Sequence, residues 1–285
     1  MYEVSRPLGL ILTNLLSERG FQVGLAIKIC FLICIIPITQ TEWFVPFILF
    51  FFNNPSLTPW DNFISSGGDL LAFPYGPTMF LIFLPATSLG WLLDNVFNSS
   101  YFIILGFQLT LLIADIFLLL TLIQQFNRYR KQLVVYYWLS PLILYITYWH
   151  GQIDLIPVAF LFYSVGLLKK GNYKLGGLFL ALSVTAKYSM LIGVPIIFVY
   201  LWLNQNIKGG FWETIRPFSI LSLLIVSPFL LSPGFWEMVI YNRDSGRLFS
   251  LAIELGNGVN IYILPTAYLV FLYFAWRMLR MNYEL

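Results

Sequence analysis

Long apolar segments alternate with short polar turns along this chain. An α-helix crosses the hydrocarbon core of a bilayer, about 30 Å thick, in about 20 residues. Eight segments are predicted to be transmembrane helices, namely residues 22–40, 101–124, 133–149, 154–168, 175–190, 191–204, 216–233 and 259–277. The pair 175–190 and 191–204 is short for two spans, and segment 77–93 is also apolar. The pattern therefore predicts seven to nine helices, with eight preferred.

Composition leads to the same class of protein. Of the 285 residues, 59% are hydrophobic and 10% are charged, whereas an ordinary soluble domain is about 25% charged. So much apolar surface requires a lipid environment. We predict a single all-α, polytopic membrane domain over residues 1–285. The net charge is only +3, and no basic patch of the nucleic-acid-binding kind lies outside the short loops between helices.

The basic residues predict which side of the membrane each loop faces, because Lys and Arg concentrate in cytoplasmic loops. If segment 77–93 stays at the outer surface, or dips into the membrane and returns, instead of crossing, twelve of the sixteen basic residues fall on one side. They are Arg6, Arg19, Arg128, Arg130, Lys131, Lys169, Lys170, Lys174, Lys208, Arg216, Arg277 and Arg280. This arrangement predicts cytoplasmic termini, with the plasma membrane as the location if the protein is prokaryotic. Most acidic residues then lie on the outer face.

Two outer loops follow from this topology. The first covers residues 41–100 and contains two apolar pieces, 43–52 and 77–93, which are rich in aromatic residues. We predict that both are juxtamembrane helices at the level of the lipid headgroups, where aromatic side chains are favoured. The last outer loop covers residues 234–258. The two interfacial helices and the polar turn between them are expected to form a cleft above the bilayer; the alternative is that both helices are merely buried packing.

Two carboxylates lie in the first outer loop, within the stretch TPWDNFISSGGDLLAFPYGP (residues 58–77). Asp61 or Asp69 could accept a proton from a hydroxyl nucleophile. Either could instead cap a helix or help to hold a divalent metal. Asp61 is the stronger candidate for a catalytic residue, because Asp69 follows two glycines and can simply belong to a turn.

The motif WHGQID, residues 149–154, joins two predicted spans and carries three candidate ligand-binding residues, His150, Gln152 and Asp154. His150 is the only histidine, which argues against a zinc site of the usual His and Cys kind. Gln152 and Asp154 could bind the free N–H groups of the helix that follows, or they could contact a sugar. The sequence leaves both interpretations open.

Cations on the outer side run against the charge bias and need an explanation. Arg243 and Arg247 lie in the last outer loop, and Lys187 lies near the outer end of its predicted helix, beside Tyr188. Guanidinium groups match the oxygens of a lipid phosphate or pyrophosphate, and ionisable residues within the membrane are commonly functional. We predict that Lys187 contacts an anionic ligand. For Lys28, in the first span, pairing with the deep Asp115 is the structural alternative.

A family resemblance emerges from these motifs. The block from His150 to Ile197 has a Gly-Gln pair, a basic turn, a Gly-rich helix ending in Lys187 and then Pro195. It resembles the GT-C membrane glycosyltransferases that use polyprenyl-phosphate sugars, in particular the mannosyltransferases. The order Asp61, Gly67-Gly68, Tyr75, Pro77 resembles the first outer loop of the same superfamily. The resemblance covers roughly residues 59–195.

The resemblance implies an inverting transfer of a hexose, such as mannose, to a glycan, glycolipid or protein acceptor on the outer face. Asp61 would act as the base, and Lys187, Arg243 and Arg247 would stabilise the polyprenyl phosphate that leaves. The side chains expected to orient the donor or the acceptor are His150, Gln152, Asp154, Asp69, Tyr75 and Tyr188. The resemblance leaves the cofactor undetermined, with a divalent metal, Mg²⁺ or Mn²⁺, as the candidate. The chain departs from the family in lacking the first acid of an Asp-x-Asp pair and in being short.

Two other functions compete with the transferase. A flippase or transporter for a lipid-linked sugar could use the same cations, but the sequence has no inverted repeat of the kind such folds show. A non-catalytic subunit could dock on a partner enzyme in the membrane. A product assay on the isolated protein would separate these three hypotheses.

Overall fold

The computed structural model describes residues 7–203, 209–242, 246, 249–256 and 260–284. This part of the chain is helical apart from one antiparallel hairpin, in which Ala252–Glu254 pairs with Asn260–Tyr262. The α-helices are α1 (Leu8–Leu16), α2 (Arg19–Cys34), α3 (Val45–Asn53), α4 (Pro59–Ser65), α5 (Pro77–Phe97), α6 (Phe102–Gln125), α7 (Arg130–Leu133), α8 (Pro141–Ile143), α9 (Leu155–Lys169), α10 (Tyr173–Ala186), α11 (Val194–Leu203), α12 (Gly210–Val226), α13 (Pro233–Phe235) and α14 (Ile263–Glu284).

Shorter helical turns extend several of these helices. The π-helical turns are Gln40–Phe44, Val134–Trp138, Leu144–Trp149 and Trp236–Ile240, and the 3₁₀ turns are Asn127–Tyr129, Tyr188–Gly193 and Ser227–Phe229. The predicted span 133–149 is not one continuous helix. It is interrupted at Ser140, whose backbone is extended (ψ 122°) before Pro141. The ring of a proline disfavours the α conformation in the residue that precedes it, so the helix breaks there.

The apolar helices are those of a membrane-embedded protein. In the described chain, α5 with 21 residues and α6 with 24 are each long and apolar enough to cross a bilayer. The segments Gly210–Phe229 and Pro233–Ile240, bent by 119°, would add a third span if they cross together. Shorter apolar helices cover Leu155–Lys169, Tyr173–Ala186, Tyr188–Leu203 and Ile263–Met278. The all-α class is confirmed, whereas the count of eight spans stays a prediction.

Segment 77–93, expected to lie along the membrane surface, is part of the long helix α5. This helix packs antiparallel against α6, with Gly90 next to the carbonyl of Phe102 and Gly106 next to that of Ala86. Ile82 and Pro85 line one groove together with Thr110 and Ala114. Helix α5 therefore begins beside the middle of α6 and runs toward the start of that helix. Helix α5 does not run along the second half of α6. This arrangement is compatible with α5 entering the membrane from one face.

Three turns with basic residues lie at one end of the bundle. Arg130 forms an ion pair with Glu18 at 2.7 Å, which joins the turn after α6 to the turn between α1 and α2. The ammonium of Lys169 lies 5.8 Å from the centre of the Phe126 ring, which joins the turn after α9 to the same place. Charges that the sequence assigns to one membrane side thus share one end of the fold, called here the basic end. Arg6 and Lys208 lie outside the described residues.

A buried ion pair connects α2 and α6. Lys28 Nζ lies 2.5 Å from Asp115 Oδ2, and both side chains have no exposed surface. The hydroxyls of Tyr137 and Tyr148 each donate to Asp115 at 2.7 Å, and the ammonium lies 4.0 Å from the centre of the Trp138 ring. The predicted pairing of Lys28 with Asp115 is confirmed, and its partners satisfy the charges that burial would otherwise penalise.

Candidate functional site

A charged cluster of Tyr75, Asp154 and Lys187 lies at the end of the α9–α10 hairpin away from the basic end. Helix α10 ends at Ala186, and Lys187 is extended (φ −147°, ψ 116°), which turns its side chain away from the helix axis. Its ammonium donates to Asp154 Oδ1 at 2.6 Å and to Oδ2 at 2.7 Å. Asp154 immediately precedes α9, but its side chain caps no N–H group of that helix. Of the two open interpretations of Asp154, helix capping is therefore wrong.

Tyr75 completes the charged cluster. Its hydroxyl donates to Asp154 Oδ1 at 2.8 Å, and its ring centre lies 5.1 Å from the Lys187 ammonium. The ring is buried at 4% exposure, whereas the side chains of Lys187 and Asp154 are 28% and 43% exposed. A cation held over an aromatic ring and a carboxylate at a partly open surface is reachable by a ligand.

The segment that carries Tyr75 is fixed to the end of α10 through its backbone. The Gly76 N–H donates to the carbonyl of Ala186 at 2.9 Å, and the hydroxyls of Thr78 and Thr185 lie 2.6 Å apart. A side chain at position 76 would place its Cβ 2.0 Å from the carbonyl oxygen of Thr185. Glycine is required here because no other residue permits this close approach.

Tyr188 follows Lys187 and has a buried hydroxyl without a hydrogen-bond partner in the described part of the chain. Its ring centre lies 6.2 Å from that of Phe235. An unpaired buried hydroxyl costs about 1–3 kcal/mol. A ligand that accepts this hydrogen bond would recover that free energy.

Asp61 lies in the first turn of α4 and is anchored to α13. Its Oδ1 accepts the backbone N–H of Gly234 at 2.6 Å, and Oδ2 has no partner within the described ranges. A Cβ at position 234 would lie 2.8 Å from the Asp61 nitrogen, so the two turns are in direct contact. The carboxylate is half-buried and keeps one oxygen for another partner.

An aromatic cluster of Phe47, Trp60, Phe73, Phe80 and Phe235 links the segment of Asp61 with the segment of Lys187. The ring of Trp60 lies 5.3 Å from that of Phe235, which in turn contacts Tyr188. The indole N–H of Trp60 is buried without a partner among the described residues. The chain neighbours of Asp61 and Lys187 thus both contact Phe235, and no hydrogen bond joins Asp61 to Lys187 within the described ranges.

The remaining sequence candidates lie apart from the charged cluster. Asp69 is exposed, and its Oδ1 accepts the Leu71 N–H at 2.8 Å, as expected for a turn. His150 is exposed and lines a separate cleft of about 360 Å³ with Tyr145 and Trp149. Gln152 makes a backbone hydrogen bond to the carbonyl of Ile146, at 3.0 Å, and within the described ranges no hydrogen bond joins its side chain to Lys187. A role for these three residues in ligand binding stays a prediction.

Arg243 and Arg247, predicted to bind phosphate, lie outside the described residues, as does Asp244. Within the described ranges, no three His, Cys, Asp or Glu side chains are grouped as metal ligands. Asp61 and Asp154 bind separate partners, at Gly234 and Lys187. No ligand set for Mg²⁺ or Mn²⁺ is therefore assigned to these carboxylates.

An apolar groove of about 350 Å³ lies among the helices that carry the charged cluster. It runs between α5, α6, α9 and α10, and Ile156, Phe160 and Phe179 line it together with Pro85, a proline inside α5. Ile156 is two positions from Asp154 in the chain. Thr110 contributes the only polar side chain to this described lining, and its hydroxyl is bonded to the carbonyl of Gly106 at 3.0 Å. Such a groove fits an isoprenoid or acyl chain.

Gly76, Thr78, Thr185 and Gly234 position the site, although the sequence singled out none of them for this role. The motifs PYGP and SPGF contain a signal, because a glycine next to proline is typical of a tight turn. The partners of these turns lie on distant segments, and a single sequence does not contain that information.

No protein-family model matches the chain, and no curated protein or solved structure is similar to it.

Proposed function

We propose that this protein is a membrane glycosyltransferase of the GT-C type that transfers a hexose from a polyprenyl-phosphate donor. The observation that carries the proposal is the charged cluster, in which a partly exposed lysine pairs with Asp154, two positions before Ile156 of the apolar groove. A lipid phosphate needs both features, a cation for its headgroup and an apolar surface for its chain.

Lys187 would bind the phosphate of the donor. Its charge is now neutralised by Asp154 at 2.6 and 2.7 Å, so a phosphate must displace or share that carboxylate. The Tyr188 hydroxyl, buried without a partner among the described residues, belongs to the next residue of the chain and would supply a second donor. Charge-assisted hydrogen bonds of this kind contribute about 1.5–3 kcal/mol each.

The location of the cluster fits a donor carried by a membrane lipid. Helix α9 has 15 residues between the cluster and Lys169, and at 1.5 Å per residue it is about 22 Å long. If the basic end lies at the cytoplasmic surface, Lys187 lies in the outer third of a hydrocarbon core about 30 Å thick. The apolar groove would then hold the first part of the polyprenyl chain within the bilayer.

Asp61 would act as the general base. In an inverting transfer, the oxygen of an acceptor hydroxyl bonds to the anomeric carbon, and the bond from that carbon to the phosphate oxygen breaks. The bonding electrons go to the phosphate, where Lys187 stabilises the developing charge. The hydroxyl proton goes to Asp61, whose Oδ2 has no partner among described residues. The Gly234 N–H holds the other oxygen and fixes the carboxylate.

The test is the Asp61→Asn variant, assayed for transfer from a radiolabelled polyprenyl-phosphate hexose to an acceptor. Asparagine can still accept the Gly234 N–H, so the fold should persist, while transfer should fall by about 10²–10⁴ because the base is lost. Glu42→Gln is the matched control, since Glu42 is an exposed acid in the same predicted outer loop and has no proposed role. Its activity should stay within a few-fold of the natural protein.

Full turnover by Asp61→Asn would reject the assignment of the base. Movement of the labelled lipid across the bilayer without consumption would instead indicate a flippase.

A further inference from the structure

A second cavity, of about 400 Å³, lies on the opposite face of α3 from the aromatic cluster. Its floor is apolar and includes Leu49 and Ile104, and its rim is polar. Trp91 of α5 stands at this rim, and its indole N–H donates to Asn53 Oδ1 at 3.2 Å. We call this cavity the Trp91 pocket.

The rim of the Trp91 pocket offers several neutral hydrogen-bonding groups. The amide of Asn95, the hydroxyl of Ser100 and the NH₂ of Asn53 have no protein partner among the described residues. Asn95 and Ser100 can thus each donate and accept, and the NH₂ of Asn53 can donate. The Trp91 ring is held by Asn53 on its edge and by Phe52, which stacks on it at 5.6 Å.

The charges of the Trp91 pocket decide which ligand it fits. No Lys, Arg or His is among its described lining residues, so nothing there neutralises a phosphate or a carboxylate. Asp94 is the one acid of that described lining, and it is buried at 8% exposure. Its two oxygens accept the N–H groups of Phe102 and Ile103 at 2.9 and 2.8 Å. Asp94 is therefore committed to the start of α6, and the pocket offers only neutral groups to a ligand.

We propose that the Trp91 pocket binds a neutral sugar residue. A sugar combines an apolar C–H face, which suits an indole and an apolar floor, with hydroxyls that pair with amides and serine. In the proposed transferase this sugar belongs to the acceptor, and this part of the inference rests on the proposed function. A glycan and a glycolipid headgroup present the same chemistry.

A hydrogen bond joins two residues that neighbour the Trp91 pocket and the candidate base in the chain. The Nδ2 of Asn62, next to Asp61, donates to the carbonyl of Asn54 at 3.1 Å, and Asn54 follows Asn53 of the rim. Helix α3 presents Phe47 to the aromatic cluster and Leu49 and Asn53 to the pocket. The pocket therefore lies beyond α3 from the charged cluster and would hold a part of the acceptor distant from the reacting hydroxyl.

The experiment measures sugar binding by the full chain in lipid nanodiscs. Neutral glucose, galactose and mannose disaccharides are screened by saturation-transfer NMR, and those that bind are titrated. The double variant Asn95→Ala/Ser100→Ala should weaken binding by about tenfold or more, which is the loss expected for one or two hydrogen bonds. Both side chains are exposed, so folding should not suffer. Trp91→Leu should weaken binding as well, and Trp212→Leu, with an exposed indole on α12, should not.

Absence of binding by every disaccharide would overturn the proposal, as would equal affinity in the double variant. Displacement of a bound disaccharide by an anionic phospholipid would also overturn it, because the pocket would then prefer a charged headgroup. A glycolipid with the same headgroup separates the two sources: tighter binding, lost in the double variant, supports a lipid-borne sugar, and equal binding supports a free glycan. Asp61→Asn should keep sugar binding, so loss of transfer and loss of binding report separately on the two proposals.

Discussion

Lys187 lies at the end of an apolar helix with one carboxylate and one aromatic ring as partners. Its pair with Asp154 is more than a quarter exposed on each side, and ion pairs at such sites typically contribute about 0–1 kcal/mol to stability. Lys28 and Asp115 are fully buried instead and have two tyrosine hydroxyls as additional partners. The two lysines of the apolar helices are therefore different in kind, one structural and one accessible to a ligand.

Lys187→Met should weaken binding of a polyprenyl phosphate by about 10- to 100-fold, because one or two charge-assisted hydrogen bonds are lost. Asp154→Asn should bind at least as tightly as the natural protein, since the competing charge is gone and the amide oxygen can still accept from Tyr75. Calorimetric titration with undecaprenyl phosphate in detergent measures both. Lys170→Met, at the basic end, is the control and should not change the affinity. If Asp154→Asn binds more weakly than Lys187→Met, Asp154 rather than the lysine holds the ligand.

At the scale of elements, the site depends on how the segment before α5 meets the end of α10. The contact uses the backbone of Gly76 and Ala186 and the hydroxyls of Thr78 and Thr185. It holds Tyr75 against Asp154. An error of one residue in this register would remove the phenol from the charged cluster.

Gly76→Ala should therefore disturb both stability and ligand binding. The new methyl would lie 2.0 Å from the carbonyl oxygen of Thr185, and relieving such an overlap costs about 1–3 kcal/mol. Thermal unfolding in detergent should show a lower midpoint, and the affinity for polyprenyl phosphate should fall. Gly9→Ala is the control, because a Cβ there has no neighbour within 4 Å. An unchanged midpoint in Gly76→Ala would mean that the segment can shift freely, contrary to the rigid contact described here.

The sequence predicted which segments are helical, and which of their residues are unusual, better than it predicted the contacts between the helices. Apolar periodicity predicted the helical class, and the rarity of charge within apolar segments marked both Lys28 and Lys187. The sequence placed Asp154 at the start of the span before Lys187 but did not pair the two residues. They meet only because the turn between α9 and α10 brings the ends of the two helices together. The bond between Asp61 and Gly234 joins residues 173 positions apart, and no local pattern encodes it. Segment 77–93 was expected to lie at the membrane surface, because the sequence alone does not show how α5 packs against α6.

At the scale of the whole molecule, the basic end and the charged cluster lie at the two ends of α9 and α10. Lys169 and Lys174 flank the turn that joins these helices, while Asp154 and Lys187 lie at their other ends. Basic residues concentrate on the cytoplasmic side of membrane proteins. The charge asymmetry therefore predicts that the proposed chemistry lies on the outer side.

Sidedness can be measured by cysteine labelling in intact cells with a membrane-impermeant maleimide. The natural Cys30 and Cys34 are first replaced by serine, and Asp69→Cys or Lys131→Cys is then introduced. Asp69 is exposed in the loop that leads to Tyr75, and Lys131 lies in the short α7 at the basic end. Asp69→Cys should react in intact cells, and Lys131→Cys should react only after permeabilisation, because a maleimide carrying a fixed charge cannot cross the hydrocarbon core. The reverse pattern would place the charged cluster on the cytoplasmic side, where a donor displayed on the outer leaflet could not reach Lys187. Labelling of both positions in intact cells would show that the basic end is not enclosed by the membrane barrier, and the assignment of sides by charge would fail.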